Sequence, residues 1–362
     1  MKYSAFLLFL LALAALPVSA QDPAPAAEPT AAPAAQEPAA PAAQEPAAPA
    51  AAQAVPNGPM MHVVVEGLDN PSGIAIQPET GIVFVSDSGA GRIVKIVNGV
   101  AEPVVTDFKT DIYGKGPQYN IGPLGLAFLD KNTLVVGGGD LPDGEEALRV
   151  FDLTDMKEPL KVDAAKASFT LAANGDIKGE GNFYALAVNE KGIFVTCNGD
   201  DTKGWVSRAA REGNTVSGFE RYLATKEAVQ VDAPVAATMS SRGELLIGQM
   251  GEINVPNDSL ITFYDPESKS VLLNLKTELH DIASLAYSPR GQLYALDFAW
   301  MDTTQGGLFQ LLKDEAKGVA AHKIVGLDKP TAMAFGPDGT LYITVVGPEA
   351  KKGQLVKIDP GL

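Results

Sequence analysis

From residue 57 onward the chain reads as short β-rich runs separated by Gly, Pro, Asn and Asp turns, and no stretch carries the apolar period of a long helix. One pattern recurs: a small apolar run containing Ala, a turn, then a greasier run of Val, Ile, Leu and Phe. The first member occurs at residues 72–76, 124–128, 184–188, 234–239, 284–287 and 331–335, and the second at 82–85, 133–136, 192–196, 244–247, 292–296 and 340–345. Ala75, Ala127, Ala187, Ala237, Ala286 and Ala334 are separated by 52, 60, 50, 49 and 48 residues. Six such units, each with room for four strands, predict an all-β fold, a six-bladed β-propeller. Gly, Ala and Ser in the first run suit innermost strands that converge on a narrow channel. The second runs are then expected to pack between neighbouring blades.

The two ends fit a closed ring. The last unit stops after residues 354–358, one strand short, while residues 61–65 precede the first unit. The stretch 62–71 resembles 322–330, and both lead into an inner strand. Residues 61–65 are therefore expected to be the outermost strand of the last blade, which removes free sheet edges.

What precedes the repeats changes the expected address. Lys2, the uncharged apolar run 6–16 and the small residues 17–20 read as a signal peptide cleaved after Ala20, too short for a comfortable membrane span. No later segment offers a transmembrane span, so an exported, periplasmic or extracellular protein is expected. Residues 21–56 are low complexity, with residues 33–40 repeated at 41–48. Frequent Pro and the lack of large apolar side chains predict a disordered, semi-stiff Ala/Pro/Glu linker. The propeller domain is then 57–362. Cys197 is the only cysteine and lies in an apolar run, so it reads as a buried, inert thiol. The net charge of −16 argues against nucleic acid or anionic lipid as partners.

Residues 70–76 with 81–93, and 329–343 with its Phe335-Gly336-Pro337-Asp338-Gly339 turn, resemble NHL-type propeller repeats. The resemblance extends to a wider superfamily of six-bladed propellers that includes gluconolactonase-like enzymes, strictosidine-synthase-like proteins and quinone-dependent sugar dehydrogenases. It implies the fold across residues 60–362 without choosing among these functions. Gluconolactonase-like members hold a divalent metal at the channel mouth with Glu, Asn and Asp. The matching positions here are Ser72, Leu124, Tyr184, Pro234, Ala283 and Thr331, which cannot supply the oxygens a hard cation needs. The dehydrogenase reading lacks a His on an inner or second strand.

Two residues earlier lies a richer ring: Asn70, Gly122, Asn182, Asp232, Asp281 and Lys329. Asn182, Asp232 and Asp281 are candidate ligands for a divalent cation such as Ca²⁺, with His280 beside them as a candidate base. The competing reading is that they are ordinary turn residues. His62 and His322 fall on outermost strands. Loops at the same face carry Asp87, Asp140, Asp143, Asp200, Asp201, Glu252, Asp258 and Asp302, either an acidic rim or solvated turns. Residues 140–146 look vaguely calcium-like but lack the alternating oxygens of an EF-hand loop. Phe298, Trp300 and Met301 share one loop, and Tyr113 and Tyr119 lie in the long insertion 107–122. Together with Asn70, these aromatics are expected to rim a pocket or a docking patch. No nucleophile elbow, metal-spaced His pair or phosphate loop is present. The sequence thus points to a binding or scaffold module for a protein or glycan at the top face. The alternative is a metal-dependent, lactonase-like hydrolase built on Asn182, Asp232, His280 and Asp281.

Overall fold

A computed structural model describes residues 59–114, 117–199 and 202–362. The leader and linker read at residues 1–56, and Asp200 and Asp201, lie outside the described residues. Six blades surround a central channel, each built on four antiparallel strands; the first sheet gains a fifth, short strand, Leu160–Lys161, paired parallel to Val100–Thr106. Their inner strands are Pro71–Ile76, Pro123–Phe128, Phe183–Asn189, Pro234–Met239, Ile282–Tyr287 and Pro330–Phe335, and each neighbours the next around the ring. The protein is a six-bladed β-propeller, and each Ala of the sequence ladder sits on its inner strand. In the sixth sheet the order runs from Met61–Leu68 through Gly353–Ile358 and Leu341–Val345 to Pro330–Phe335, with Met61 opposite Ile358 and Leu68 opposite Gly353.

The small inner residues are required by the approach of neighbouring backbones. A Cβ on Gly73 would lie 1.9 Å from the Leu124 carbonyl oxygen, and one on Gly125 would lie 2.6 Å from that of Tyr184. Hydroxyls tie the blades together at the same level. Ser86 donates to the Leu124 carbonyl at 2.6 Å, Thr196 to that of Val235 at 3.1 Å, and Thr331 to that of Pro71 at 2.6 Å, the last joining blade six to blade one. The second strands carry the core. Val83–Asp87 and Gly192–Cys197 are buried at every position, and each blade's Val, Ile, Leu and Phe pack between it and the next. Cys197 is among them, with its sulfur 3.2 Å from the Ser207 hydroxyl, and burial pushes its thiol pKa up.

One feature repeats at the channel mouth. In all six blades the pairing of inner and second strand slips within the first residues, between Pro71 and Gly73, Pro123 and Leu126, Phe183 and Leu186, Pro234 and Ala236, Ile282 and Ser284, and Pro330 and Ala332. Such bulges re-aim side chains. The residue before the strand has left-handed φ at Asn70 (46°), Asn182 (48°), Ala233 (54°) and Lys329 (56°). Ala233, and not Asp232, thus holds the fourth place in the expected ring. Pro234 occupies the place of Pro71, Pro123 and Pro330, one residue earlier in the strand than the sequence pattern implies for that blade. Among the described residues no helix is long and apolar enough to cross a membrane.

Candidate functional site

The insertion 107–122 folds into a small hairpin, Asp111–Tyr113 with Tyr119–Ile121, between blades one and two. It brings Tyr113 and Tyr119 to a cavity of about 590 Å³, open mouth included, at the end of the channel where the inner strands begin. Asn70, Asn182, Phe298 and Trp300 line the same cavity. More than four blades of sequence separate Asn70 from Trp300, and the ring brings them together. Tyr184, one of the positions that match the lactonase ligands, also lines it, as do Asn198 and Met250, which the sequence does not single out. Asn198 and Met250 each follow a second strand without a motif.

One wall is aromatic. Phe298 and Trp300 lie with ring centroids 4.6 Å apart, and Tyr119 meets them edge-on at 6.3 and 5.6 Å. Polar groups complete the lining. Asn198 donates its amide to the Tyr113 hydroxyl at 3.0 Å, Asn182 donates to the Asn198 carbonyl at 3.2 Å, and Asn70 donates to the Asn120 carbonyl at 2.8 Å. Two buried atoms on lining residues have no hydrogen-bond partner: the acceptor Oδ1 of Asn182 and the donor Nε1 of Trp300. Among the described residues the lining contains no carboxylate, imidazole, thiol or cation. Its ionisable groups are the phenols of Tyr113, Tyr119 and Tyr184, whose pKa values burial pushes up. They remain neutral donors and acceptors at ordinary pH.

The acids expected around this mouth are placed otherwise. Asp232 pairs with Lys226 at 3.0 Å on the short helix Thr225–Val229 and does not line the cavity. Asp281 is 2% exposed, and its Oδ2 accepts the Trp300 backbone N–H at 2.7 Å. Burial first, then the nearby charges of Asp297 and Asp258, push its pKa up to about 7. His280 is half-buried and engaged through its backbone, its N–H donating to Asp297 at 2.9 Å and its carbonyl accepting from Ser259 at 2.8 Å. Asn182, Asp232 and Asp281 therefore do not converge. Among the described residues no group of three His, Cys, Asp or Glu is placed to hold a metal ion. The cavity offers only amide and hydroxyl oxygens, a donor set that does not fit Ca²⁺.

Two acids of the expected rim are buried and ion-paired. Asp87 accepts from Arg92 at 2.7 Å and from the Asp69 backbone at 2.6 Å. Asp140 holds Arg149 with two bonds of 2.9 and 3.1 Å. Glu146, from the segment 140–146, turns inward, is 1% exposed and accepts the backbone N–H of Asn182. Burial, aided by the charges of Asp143, Asp140 and Asp111, raises its pKa to about 9. His62 and His322 are exposed on outer strands, as expected.

No family model matches the chain, and no curated protein matches its sequence. Solved structures do match in shape. A glucose dehydrogenase shares 15% identity at a TM-score of 0.57, over 84% of this chain and 100% of that one. The PQQ-bound aldose sugar dehydrogenase of Streptomyces coelicolor shares 14% at 0.57, over 84% and 99%. A gluconolactonase of Xanthomonas campestris shares 13% at 0.56, over 83% and 90%. Likeness at this identity speaks for architecture, and the chain is a six-bladed β-propeller of the kind seen in gluconolactonases and glucose dehydrogenases.

Proposed function

We propose that this propeller is an exported binding module whose channel-mouth cavity takes a neutral, polyhydroxylated ligand, the end of a glycan. The observation that carries this reading is the chemistry of the lining. Aromatic rings form one wall, amides, hydroxyls and small or aliphatic side chains form the rest, and no charged side chain intervenes among the described residues. A sugar ring has an apolar C–H face that packs on aromatic rings and hydroxyls that donate and accept at its edge. The amides of Asn70 and Asn198 and the hydroxyls of Tyr113 and Tyr119 on the lining are donors and acceptors for such an edge. The hydrolase alternative requires converging carboxylates or a base, and the described residues of the lining include neither.

A glycan array probed with the purified protein, followed by calorimetry on each hit, tests the proposal. We expect at least one neutral glycan to bind, and Trp300→Ala to weaken it by roughly 1–3 kcal/mol, as loss of a buried aromatic anchor does. An array without hits, or hits that Trp300→Ala leaves at full affinity, would refute it.

A further inference from the structure

We infer that Asp281 is a positioning residue for Trp300 and so sets the shape that the cavity presents to its ligand. The second strand of blade five, Leu293–Asp297, ends in a reversal that carries Phe298 and Trp300. Between them Ala299 takes a left-handed φ of 52°, which a residue with a Cβ adopts only when its surroundings impose it. Two carboxylates impose it here. Asp297 accepts the backbone N–H groups of His280, Asp281 and Ala299 at 2.9, 2.8 and 3.1 Å. Asp281 accepts Phe298 N–H on its carbonyl at 2.9 Å and Trp300 N–H on its side chain at 2.7 Å.

The carbonyl bond is common to the fold. Val346 donates to Lys329 at 3.1 Å in blade six, and Met250 to Ala233 at 3.0 Å in blade four. The carboxylate bond is what blade five adds: Lys329 and Ala233 have no side-chain acceptor, and the side-chain bonds of Asn70 and Asn182 run to the carbonyls of Asn120 and Asn198. The addition is costly for the fold. Asp281 is 2% exposed, its Oδ1 is buried without a partner, and the charged groups acting on it, Asp297 and Asp258, are both acidic. A buried, half-satisfied acid among like charges is a poor contribution to stability. It fixes the backbone from which the Trp300 ring meets Phe298 and Tyr119.

The functional consequence rests on the reading of the cavity as a binding site, but the positioning role is tested without a ligand. The sequence has two tryptophans, so Trp205→Phe leaves Trp300 as the sole indole. In that background Asp281→Ala is expected to red-shift the emission and to raise acrylamide quenching about twofold, as for a ring leaving a packed site. Asp281→Asn retains an oxygen for the Trp300 N–H and is expected to restore both values. Unchanged emission in Asp281→Ala, or an Asn variant as perturbed as the Ala one, overturns the inference. Should Asp281→Ala not fold, hydrogen exchange in the unaltered protein decides: the Trp300 amide exchanges as slowly as that of Phe298, and exchange at the rate of an open loop overturns the inference. If the spectra behave as expected and no glycan binds, the positioning role stands and the proposed function falls.

Discussion

Glu146 makes the pH response of this fold calculable. In the unfolded chain its carboxyl ionises near 4.5, whereas in the fold, 1% exposed, it keeps its proton up to about 9. Between those values the native state binds more protons than the unfolded state, so stability falls as pH rises, and the loss is complete above the folded value. The limiting slope is ~1.4 kcal/mol per pH unit. For a domain of this size that corresponds to a fall of ~2–3 °C in melting temperature per unit. Glu146→Gln supplies a neutral side chain that still offers an oxygen to the Asn182 N–H. Its melting temperature minus that of the wild type is therefore expected to grow by ~2 °C per unit between pH ~5 and ~8, with the variant the more stable at the alkaline end. Taking the difference between two proteins cancels the other titrating groups, Asp281 included. Paired thermal melts over that range measure it. Parallel curves, a constant gap at every pH, would show that Glu146 ionises in the fold near its ordinary value and would refute the reasoning.

Three further substitutions test the packing of the blades. Gly73→Ala places a methyl 1.9 Å from the Leu124 carbonyl oxygen and is expected to cost ~1–3 kcal/mol or more in a denaturant melt. Gly326→Ala, whose nearest neighbour would be a lysine methylene at 3.9 Å, is expected to be neutral or to stabilise by up to ~1 kcal/mol. Arg149→Ala strips the buried Asp140 of its partner and removes a guanidinium 5.5 Å from the Phe108 ring centroid; a loss of ~3–5 kcal/mol is expected, read as a lowered urea midpoint.

The architecture was legible because it is repetitive. Six Ala-bearing inner strands must be small where backbones meet, and Gly73 against Leu124 shows how close that approach is. The aromatic wall was legible for the same reason. Once the blades are counted, the turn after each second strand and the connection into each inner strand fall on one face. Tyr113, Tyr119, Phe298 and Trp300 could then be assigned to a single rim although most of the chain separates them.

The charged residues were not legible, and the bulges at the mouth explain why. Alternation along a strand tells which face a side chain takes only while the pairing register holds. In all six blades the register slips at the first residues of the inner strand, so the phase is lost where the site begins. Asn70, Asn182 and Asp281 hold equivalent places in the ring, yet the two amides line the cavity and the carboxylate turns to the Trp300 amide. The acids of the loops fail for a related reason. Asp87 stands directly across the turn from Arg92, and Asp140 holds Arg149 of the next strand, so these two acids of the expected rim are internally neutralised, while Glu252 and Asp302 stay exposed. With those two charges paired, the described lining of the mouth presents aromatic, amide and hydroxyl groups. The net charge of the chain therefore says little about the chemistry of the cavity, which its described lining residues set.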